Sequence, residues 1–166
     1  MDSRLIDFLA LLDAAESEDD AWGTTVGFLE GFGAVSLVYG AGETLETVGF
    51  RTTTPDWWMD RYVAQGYASR DPQFHHAATR LQPGFLDLAG AIRNPGLAPE
   101  EKVVPLEFTE TGARSAVTVP LRLAHRPMSR GGLTLSSDLD AAEFQRLLAA
   151  DGPVVHYRLE HRMMTA

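Results

Sequence analysis

The sequence predicts an α+β fold, an α-β-α sandwich in which helices cover both faces of a central antiparallel sheet. Apolar residues recur at helical spacing near both ends of the chain, and β-branched and aromatic runs joined by glycine or polar turns lie between them. The order of these elements suits antiparallel connections, and flanking helices then cover the two faces of the sheet. The 166 residues are enough for one domain with one substantial core, and no internal boundary, repeat or low-complexity tract is visible.

The first half of the chain predicts two helices, a β-hairpin and two shorter helices. Both shorter helices begin at a proline, because the missing N–H of proline costs nothing at the first helical position. Gly31 and Gly66 follow the apolar pattern at points where helices are expected to end. The predicted elements are a helix over 3–15, a helix carrying Trp22, Val26 and Leu29, strands over 34–39 and 45–50, and helices over 55–65 and 72–80.

The second half predicts a loop, an interrupted helix, two strands and a terminal helix. Residues 83–99 resemble a loop, although Phe85, Leu86 and Leu88 are too apolar for a solvated linker. Pro105 must kink or split the helix that follows, because it lacks the N–H for the helical hydrogen bond. The predicted elements are a helix from Pro99 that ends at Gly112, strands over 115–123 and 131–136, and a helix from about Leu139 that is interrupted at Gly152-Pro153 and resumes to about Met163.

The charge balance argues against nucleic-acid binding by this chain alone. The net charge is −9, from 14 Lys and Arg against 23 Asp and Glu, whereas binding to phosphates depends on basic side chains. The one basic cluster is expected at the tip of a solvated hairpin; it consists of Arg122, His125, Arg126 and Arg130.

Several absences indicate a cytoplasmic protein. The chain has no cysteine, which excludes disulfides, thiolate zinc sites and a cysteine nucleophile. No apolar run approaches the roughly 18 residues that a membrane helix needs, and the first residues, Met1 to Arg4, do not resemble a signal peptide. We therefore expect no membrane partner.

Trp58, Tyr62 and Asp71 are the residues whose spacing points to a binding site. Trp58 and Tyr62 are four residues apart and share one helix face. Each has an apolar body and a polar tip, which suits a site that orients a mostly apolar ligand with a few hydrogen bonds. The pattern alone favours a plainer interpretation, in which the aromatic residues pack in the core and Asp71, before Pro72, caps a helix.

Other chemistry has little support. Asp71 and His75 have a metal-compatible spacing, but a third ligand at a matching position is missing and His76 points to another face. Asp71 and Tyr62 are conceivable as an acid/base pair, but no nucleophile accompanies them. We expect no metal, no cofactor and no catalytic residue.

Two motifs resemble the autoinducer-binding domain of LuxR-type quorum-sensing regulators. The first has Trp58, then Tyr62 after three residues, then Asp71-Pro72 after eight. The second is the Gly-Ala-Arg-Ser-Ala-Val-Thr-Val-Pro-Leu run over 112–121, followed by Leu-Thr-Leu-Ser-Ser over 133–137. The similarity covers residues 1–166 in order. It implies a five-stranded antiparallel sheet, a GAF/PAS-like fold, and a ligand sensor that binds an N-acyl homoserine lactone.

The resemblance also implies a role for individual residues. Trp58 donates its indole N–H to the lactone carbonyl, Tyr62 donates to the carbonyl of the ligand amide, and Asp71 accepts from the amide N–H. Thr134 stands where the family often has a hydroxyl that reaches the same amide carbonyl. A buried carboxylate and a buried amide N–H need one another, so we expect Asp71 to find its donor only on the ligand.

Three departures from the family put the identity of the ligand in question. Leu86, or else Phe85, stands where the family commonly has a tryptophan that closes over the head group. Thr54 replaces an aromatic residue, and Ala116 replaces the second glycine of the strand motif. The polar site residues of the family are retained, whereas the aromatic residues expected near the head group of the ligand are replaced.

The function follows as an expectation with two alternatives. The leading hypothesis is the sensor domain of a transcriptional regulator, not an enzyme. The alternatives are an orphan sensor or dominant-negative partner that binds another apolar ligand, and an enzyme acting on an acyl amide or lactone. The last helix has an apolar stripe at Val154, Val155, Leu159 and Met163. This stripe either covers the sheet within one domain or contributes to the homodimer that the resemblance implies. Pairing with a full-length regulator is the other expected assembly. We expect no helix-turn-helix domain in this chain.

Overall fold

The computed structural model describes residues 3–42, 48–122 and 130–151. The helices are α1 (Ser3–Asp13), α2 (Glu18–Glu30), α3 (Asp56–Ala64), α4 (Pro72–Thr79), α5 (Leu88–Arg93), α6 (Pro99–Phe108) and α7 (Ala141–Asp151). The strands are β1 (Ser36–Gly42), β2 (Gly49–Thr52), β3 (Gly84–Asp87), β4 (Ser115–Arg122) and β5 (Arg130–Ser137). They form one antiparallel sheet in the order β2-β1-β5-β4-β3, which confirms the predicted five strands.

The two faces of the sheet have different cores, as the predicted sandwich requires. One face packs against α1, α2 and α7 through a cluster that includes Phe8, Leu29 and Phe144. On the other face, α4 packs against β4 and β5, and the buried residues of α3, α5 and α6 form a second cluster around Trp58 and Phe108. The side chains of a strand alternate between the two faces, so each strand contributes to both layers.

Most of the predicted helix ends are confirmed. Gly66 and Gly112 follow α3 and α6 with left-handed φ values of 60° and 91°, a conformation that glycine adopts without strain. Asp71 is the N-cap of α4, and its side chain accepts a hydrogen bond from the backbone N–H of Gln73.

Two predictions for the middle of the chain are wrong. The segment 83–99 is not a loop, because β3 pairs with β4 along 84–87 and α5 follows at once. Of the two outcomes predicted for Pro105, a kink or a split, the split is wrong, because α6 continues through Pro105. This residue is buried and lines a cavity, so packing offsets the hydrogen bond that its missing N–H would have donated.

Some predictions concern residues outside the described ranges. These are the first half of the predicted strand over 45–50, most of the polar turn between β4 and β5, and the resumed helix over 153–163 with its apolar stripe. Within the described ranges, no helix is both long and apolar enough to span a membrane.

Candidate functional site

A cavity of about 360 Å³ lies between the sheet and the helices α3, α4 and α6. This volume falls within the usual range of small-molecule sites, about 300–1,000 Å³. Most of the lining is apolar, and a few polar groups interrupt it. The larger apolar side chains are those of Val48, Phe50, Phe74, Leu88, Val104 and Phe108.

The structure brings all five predicted site residues to this one cavity. Trp58 and Tyr62 line it from α3, where both are buried. Asp71 lines it from the start of α4, Leu86 from β3 and Thr134 from β5. The positions are separated by as many as 76 residues, from 58 to 134, so the sheet register and the helix packing bring them together.

Asp71 has its donors within the protein. The Tyr62 hydroxyl donates to Asp71 Oδ2 at 2.8 Å, and the backbone N–H of Gln73 donates to Oδ1 at 2.8 Å. The expectation that this carboxylate finds a donor only on a ligand is therefore wrong. The helix cap and the cavity carboxylate are the same group, because each of its oxygens faces a different partner.

Burial dominates the electrostatics of this pair. It raises the pKa of the Asp71 carboxyl above its ordinary value of 3.8, while the hydrogen bonds from Tyr62 and the Gln73 N–H, and the nearby N–H of Phe74, act in the opposite direction. Burial, together with the charge of Asp71, also raises the pKa of the Tyr62 phenol. Tyr62 therefore remains a protonated donor at physiological pH.

Thr134 forms a hydroxyl pair with Thr118 across β4 and β5. Their Oγ1 atoms are 3.0 Å apart, and either can donate to the other. When Thr118 donates, the proton of Thr134 is free for a group in the cavity. Thr118 was not predicted, because only the strand register shows that it stands opposite Thr134.

Phe108, which was not predicted as a site residue, is one of the aromatic residues that pack against Trp58. Phe108 packs against Trp58 with ring centroids 5.3 Å apart, and Tyr67 does so at 6.0 Å. Phe108 lies four residues after Val104 on α6, and both are buried cavity residues. This i, i+4 apolar pair was the available signal. Phe108 supplies aromatic cover near Trp58, while Leu86 lines the wall from β3.

Glycines of β1 and β5 form part of the cavity floor. A Cβ on Gly132 would lie 2.7 Å from Ala77 Cβ of α4, and a Cβ on Gly40 would lie 3.1 Å from the Phe50 ring. These residues let a helix and an aromatic ring approach the sheet backbone closely. The predicted strand over 34–39 stops before Gly40, but Gly40 lies within β1.

The histidines near Asp71 have other surroundings. His75 is exposed, and His76 Nε2 lies 2.8 Å from the carbonyl oxygen of Gln82. A search of the part of the chain that the structure describes finds no group of three or more His, Asp or Glu side chains able to hold a metal ion.

Comparison with known proteins adds a family match and several similar folds. A sequence profile described as "Autoinducer binding domain" matches residues 17–159. The fold is similar to that of CepR2, an N-acylhomoserine lactone dependent LuxR family transcription factor from Burkholderia cenocepacia. The TM-score is 0.77 and the identity 22%, over 97% of this chain and 94% of that one.

Two structures of SdiA are also similar. Escherichia coli SdiA has a TM-score of 0.65 and 15% identity, over 90% of this chain and 68% of that one. SdiA in complex with octanoyl-rac-glycerol has a TM-score of 0.65 and 14% identity, over 92% and 67%. No curated protein sequence matches the chain. At these identities, the structural likeness shows a common fold.

Proposed function

Because this chain belongs to the autoinducer-binding domain family of LuxR-type regulators, we propose that it binds an N-acyl homoserine lactone in the cavity between the sheet and the helices α3, α4 and α6. The observation that carries the proposal is the convergence of Trp58, Tyr62, Asp71 and Thr134 on one mostly apolar cavity. An acyl amide has the matching chemistry, since it combines a long apolar chain with one N–H and one carbonyl.

Asp71 is the proposed acceptor for the amide N–H of the ligand. A carboxylate has about four lone-pair positions, and the structure occupies two of them with the Tyr62 hydroxyl and the Gln73 N–H. The remaining capacity allows a third donor without breaking either bond. These two bonds also fix the orientation of the carboxylate before a ligand arrives, which lowers the entropic cost of binding.

Thr134 is the proposed first donor to the amide carbonyl. The resemblance implies that Tyr62 also donates there, but Tyr62 has a single hydroxyl proton, which it gives to Asp71 in this structure. Thr134 has no such conflict, because Thr118 can donate to it while it donates to the ligand. Trp58 is the proposed donor to the lactone carbonyl, with its indole ring held against Phe108.

A second ligand class is favoured by the altered cover at Leu86 and by the SdiA complex with octanoyl-rac-glycerol. An acylglycerol has an ester in place of the amide and therefore lacks the N–H, but its free hydroxyls can donate to Asp71. The two ligand classes thus share a donor for Asp71, although they differ in the head group. We propose the lactone as the ligand and use the acylglycerol as the competing candidate.

We further propose that the domain acts in the cytoplasm as a signal sensor without chemical turnover, and that it forms a homodimer or pairs with a full-length regulator. Recovery of the lactone intact, by mass spectrometry after long incubation, supports a sensor. Hydrolysis that depends on the protein would instead support an enzyme. Light scattering of the purified protein tests the assembly, and a monomer under all conditions would contradict it.

Thermal melting with a panel of ligands tests the binding proposal. Ligand at about 100 times its Kd stabilises the folded state by roughly 2.7 kcal/mol, which corresponds to about 5–10 °C in Tm for a domain of this size. We expect such shifts with acyl homoserine lactones of suitable chain length and smaller shifts with monoacylglycerols. A flat response to every lactone would reject that ligand class, and a larger response to acylglycerols would favour the second candidate.

A further inference from the structure

Ser136 on β5 is a buried cavity residue whose hydroxyl has no partner. Its side chain is 1% exposed, and its Oγ atom has no hydrogen-bond partner among the residues over 3–42, 48–122 and 130–151. A serine in a strand cannot satisfy itself on a carbonyl one turn back, as it can in a helix. Buried hydroxyls without a partner are costly and uncommon. Because Ser136 lines the cavity, a ligand in the cavity can supply that partner.

The position of Ser136 places it beyond the residues that bind the amide. The cavity residues of β5 are Gly131, Gly132, Thr134 and Ser136. The last three are alternate residues, which lie about 6.8 Å apart along a strand. Opposite them on β1 stand Gly40, Val38 and Ser36, in that order. Along β5 the cavity lining therefore changes from glycine at one end, through Thr134, to Ser136 at the other.

The change from glycine to serine along β5 indicates which end of an amphipathic ligand lies at which end of the cavity. The glycine end is flanked by Phe50, which packs over Gly40, and by Ala77, which packs over Gly132, so it suits an apolar chain. The serine end holds the hydroxyl without a partner and suits a polar head group. With the amide at Asp71 and Thr134, the head group extends towards Ser136.

We propose that Ser136 is a further ligand-binding residue, which donates its hydroxyl proton to an oxygen of the head group on the side of the amide away from the acyl chain. For an acyl homoserine lactone that oxygen belongs to the lactone, whose ring begins at the carbon attached to the amide nitrogen. This inference rests on the proposed function. Ser136 then contributes to selectivity for head groups that carry an oxygen acceptor.

Ser36 provides a matched control for Ser136. The two residues are direct partners across β1 and β5. Ser36 is also buried, at 4% exposure, and its Oγ also has no partner, but it is not among the cavity-lining residues. Ser36→Ala therefore removes an equivalent hydroxyl from the same part of the sheet without changing the cavity wall.

Calorimetric titration of the wild type, Ser136→Ala and Ser36→Ala tests the inference with two ligands of equal acyl chain. One is the homoserine lactone, and the other is the cyclopentyl amide, which keeps the amide and a ring of similar shape but has no ring oxygen or carbonyl. Ser136→Ala should weaken lactone binding about three- to tenfold, the value of one net hydrogen bond. Its affinity for the cyclopentyl amide should stay within twofold, and Ser36→Ala should change neither affinity.

The outcomes separate this inference from the proposed function. If the wild type binds no acyl homoserine lactone, the proposed function and the role of Ser136 are both wrong. If the wild type binds it and Ser136→Ala binds it equally well, only the role of Ser136 is wrong. Equal losses for both ligands, or the same loss with Ser36→Ala, would show a packing effect and would also overturn it. Ser136→Cys, which keeps the size but donates weakly, should give a lactone affinity between those of the wild type and Ser136→Ala.

Discussion

Replacement of Asp71 by asparagine separates the binding role of this residue from its role as a helix cap. Asparagine caps helices as well as aspartate does, so its oxygen can keep the bond from the Gln73 N–H. Its NH₂ group then faces Tyr62, whose oxygen can accept in place of donating. The fold is retained, whereas the charged acceptor for the ligand amide is lost.

The structure sets the size and the sign of two effects of Asp71→Asn. A hydrogen bond to a charged group contributes about 1.5–3 kcal/mol, so ligand affinity should fall about 10- to 150-fold. Stability without ligand should not fall, because burial raises the pKa of Asp71 and a neutral amide is less costly to bury than a carboxylate. Reduced affinity with an unchanged or higher Tm cannot come from a capping role alone.

Calorimetry and thermal melting at pH 7 measure both effects, with Asp140→Asn as the control. Asp140 also accepts from a backbone N–H, that of Glu143 at 2.9 Å, at the start of α7 on the opposite face of the sheet. This control should leave the affinity unchanged. Wild-type affinity in Asp71→Asn would refute the reasoning and leave Asp71 as a helix cap only.

The same carboxylate predicts how binding depends on pH. A donated amide N–H favours the ionised form, so the pKa of Asp71 should be lower in the complex than in the ligand-free protein. Affinity should then rise with pH between these two values and level off above the ligand-free one. Stability without ligand should change in the opposite sense, because a pKa raised by folding contributes stability that is lost as pH rises through it. The pH dependence of affinity should disappear in Asp71→Asn, and its persistence there would assign it to another group.

Four further predictions concern Trp58, two glycines and nucleic-acid binding. Trp58→Phe keeps the apolar body but removes the indole N–H, so calorimetry should show a loss of about 1–2 kcal/mol in ligand affinity with little change in Tm. Gly132→Ala should destabilise the fold by about 1–3 kcal/mol in urea unfolding, because its Cβ would lie 2.7 Å from Ala77 Cβ. Gly23→Ala in α2, with no atom within 4 Å of the new Cβ, should stabilise by about 0.5–1 kcal/mol. At a net charge of −9, the chain should not retard random duplex DNA at low salt, and retardation that added salt removes would contradict this.

The architecture could be predicted from sequence because its long elements have clear periods. Leu5, Phe8 and Leu12 of α1 recur at helical spacing, and all three lie in the core against the sheet. β3 was missed because four residues are too few to display an alternating pattern. Its existence depends on β4, with which Leu86 pairs opposite Ala116. An edge strand of this length is specified by its neighbour more than by its own composition.

The candidate site was only partly predictable, for a related reason. Trp58 and Tyr62 share a helix face by spacing alone, and the motif added Asp71 and Thr134. Thr118 and Ser136 depend on the strand register, since a shift of one residue would turn every side chain of a strand to the other face. The sequence does not state that register. Residues that a strand presents to the cavity therefore cannot be separated from its core residues until the pairing is known.

The two interpretations of Asp71, a helix cap or a ligand-binding residue, exclude one another only if the carboxylate is treated as a single acceptor. Its two oxygens have different partners, Gln73 N–H on one and the Tyr62 hydroxyl on the other, and capacity remains for a third donor. Capping also holds the side chain in one orientation, which a binding residue requires before its ligand arrives. A polar residue between a site helix and a proline-initiated helix is thus suited to both roles by the same geometry. A cap signal beside a pocket is therefore not an argument against function.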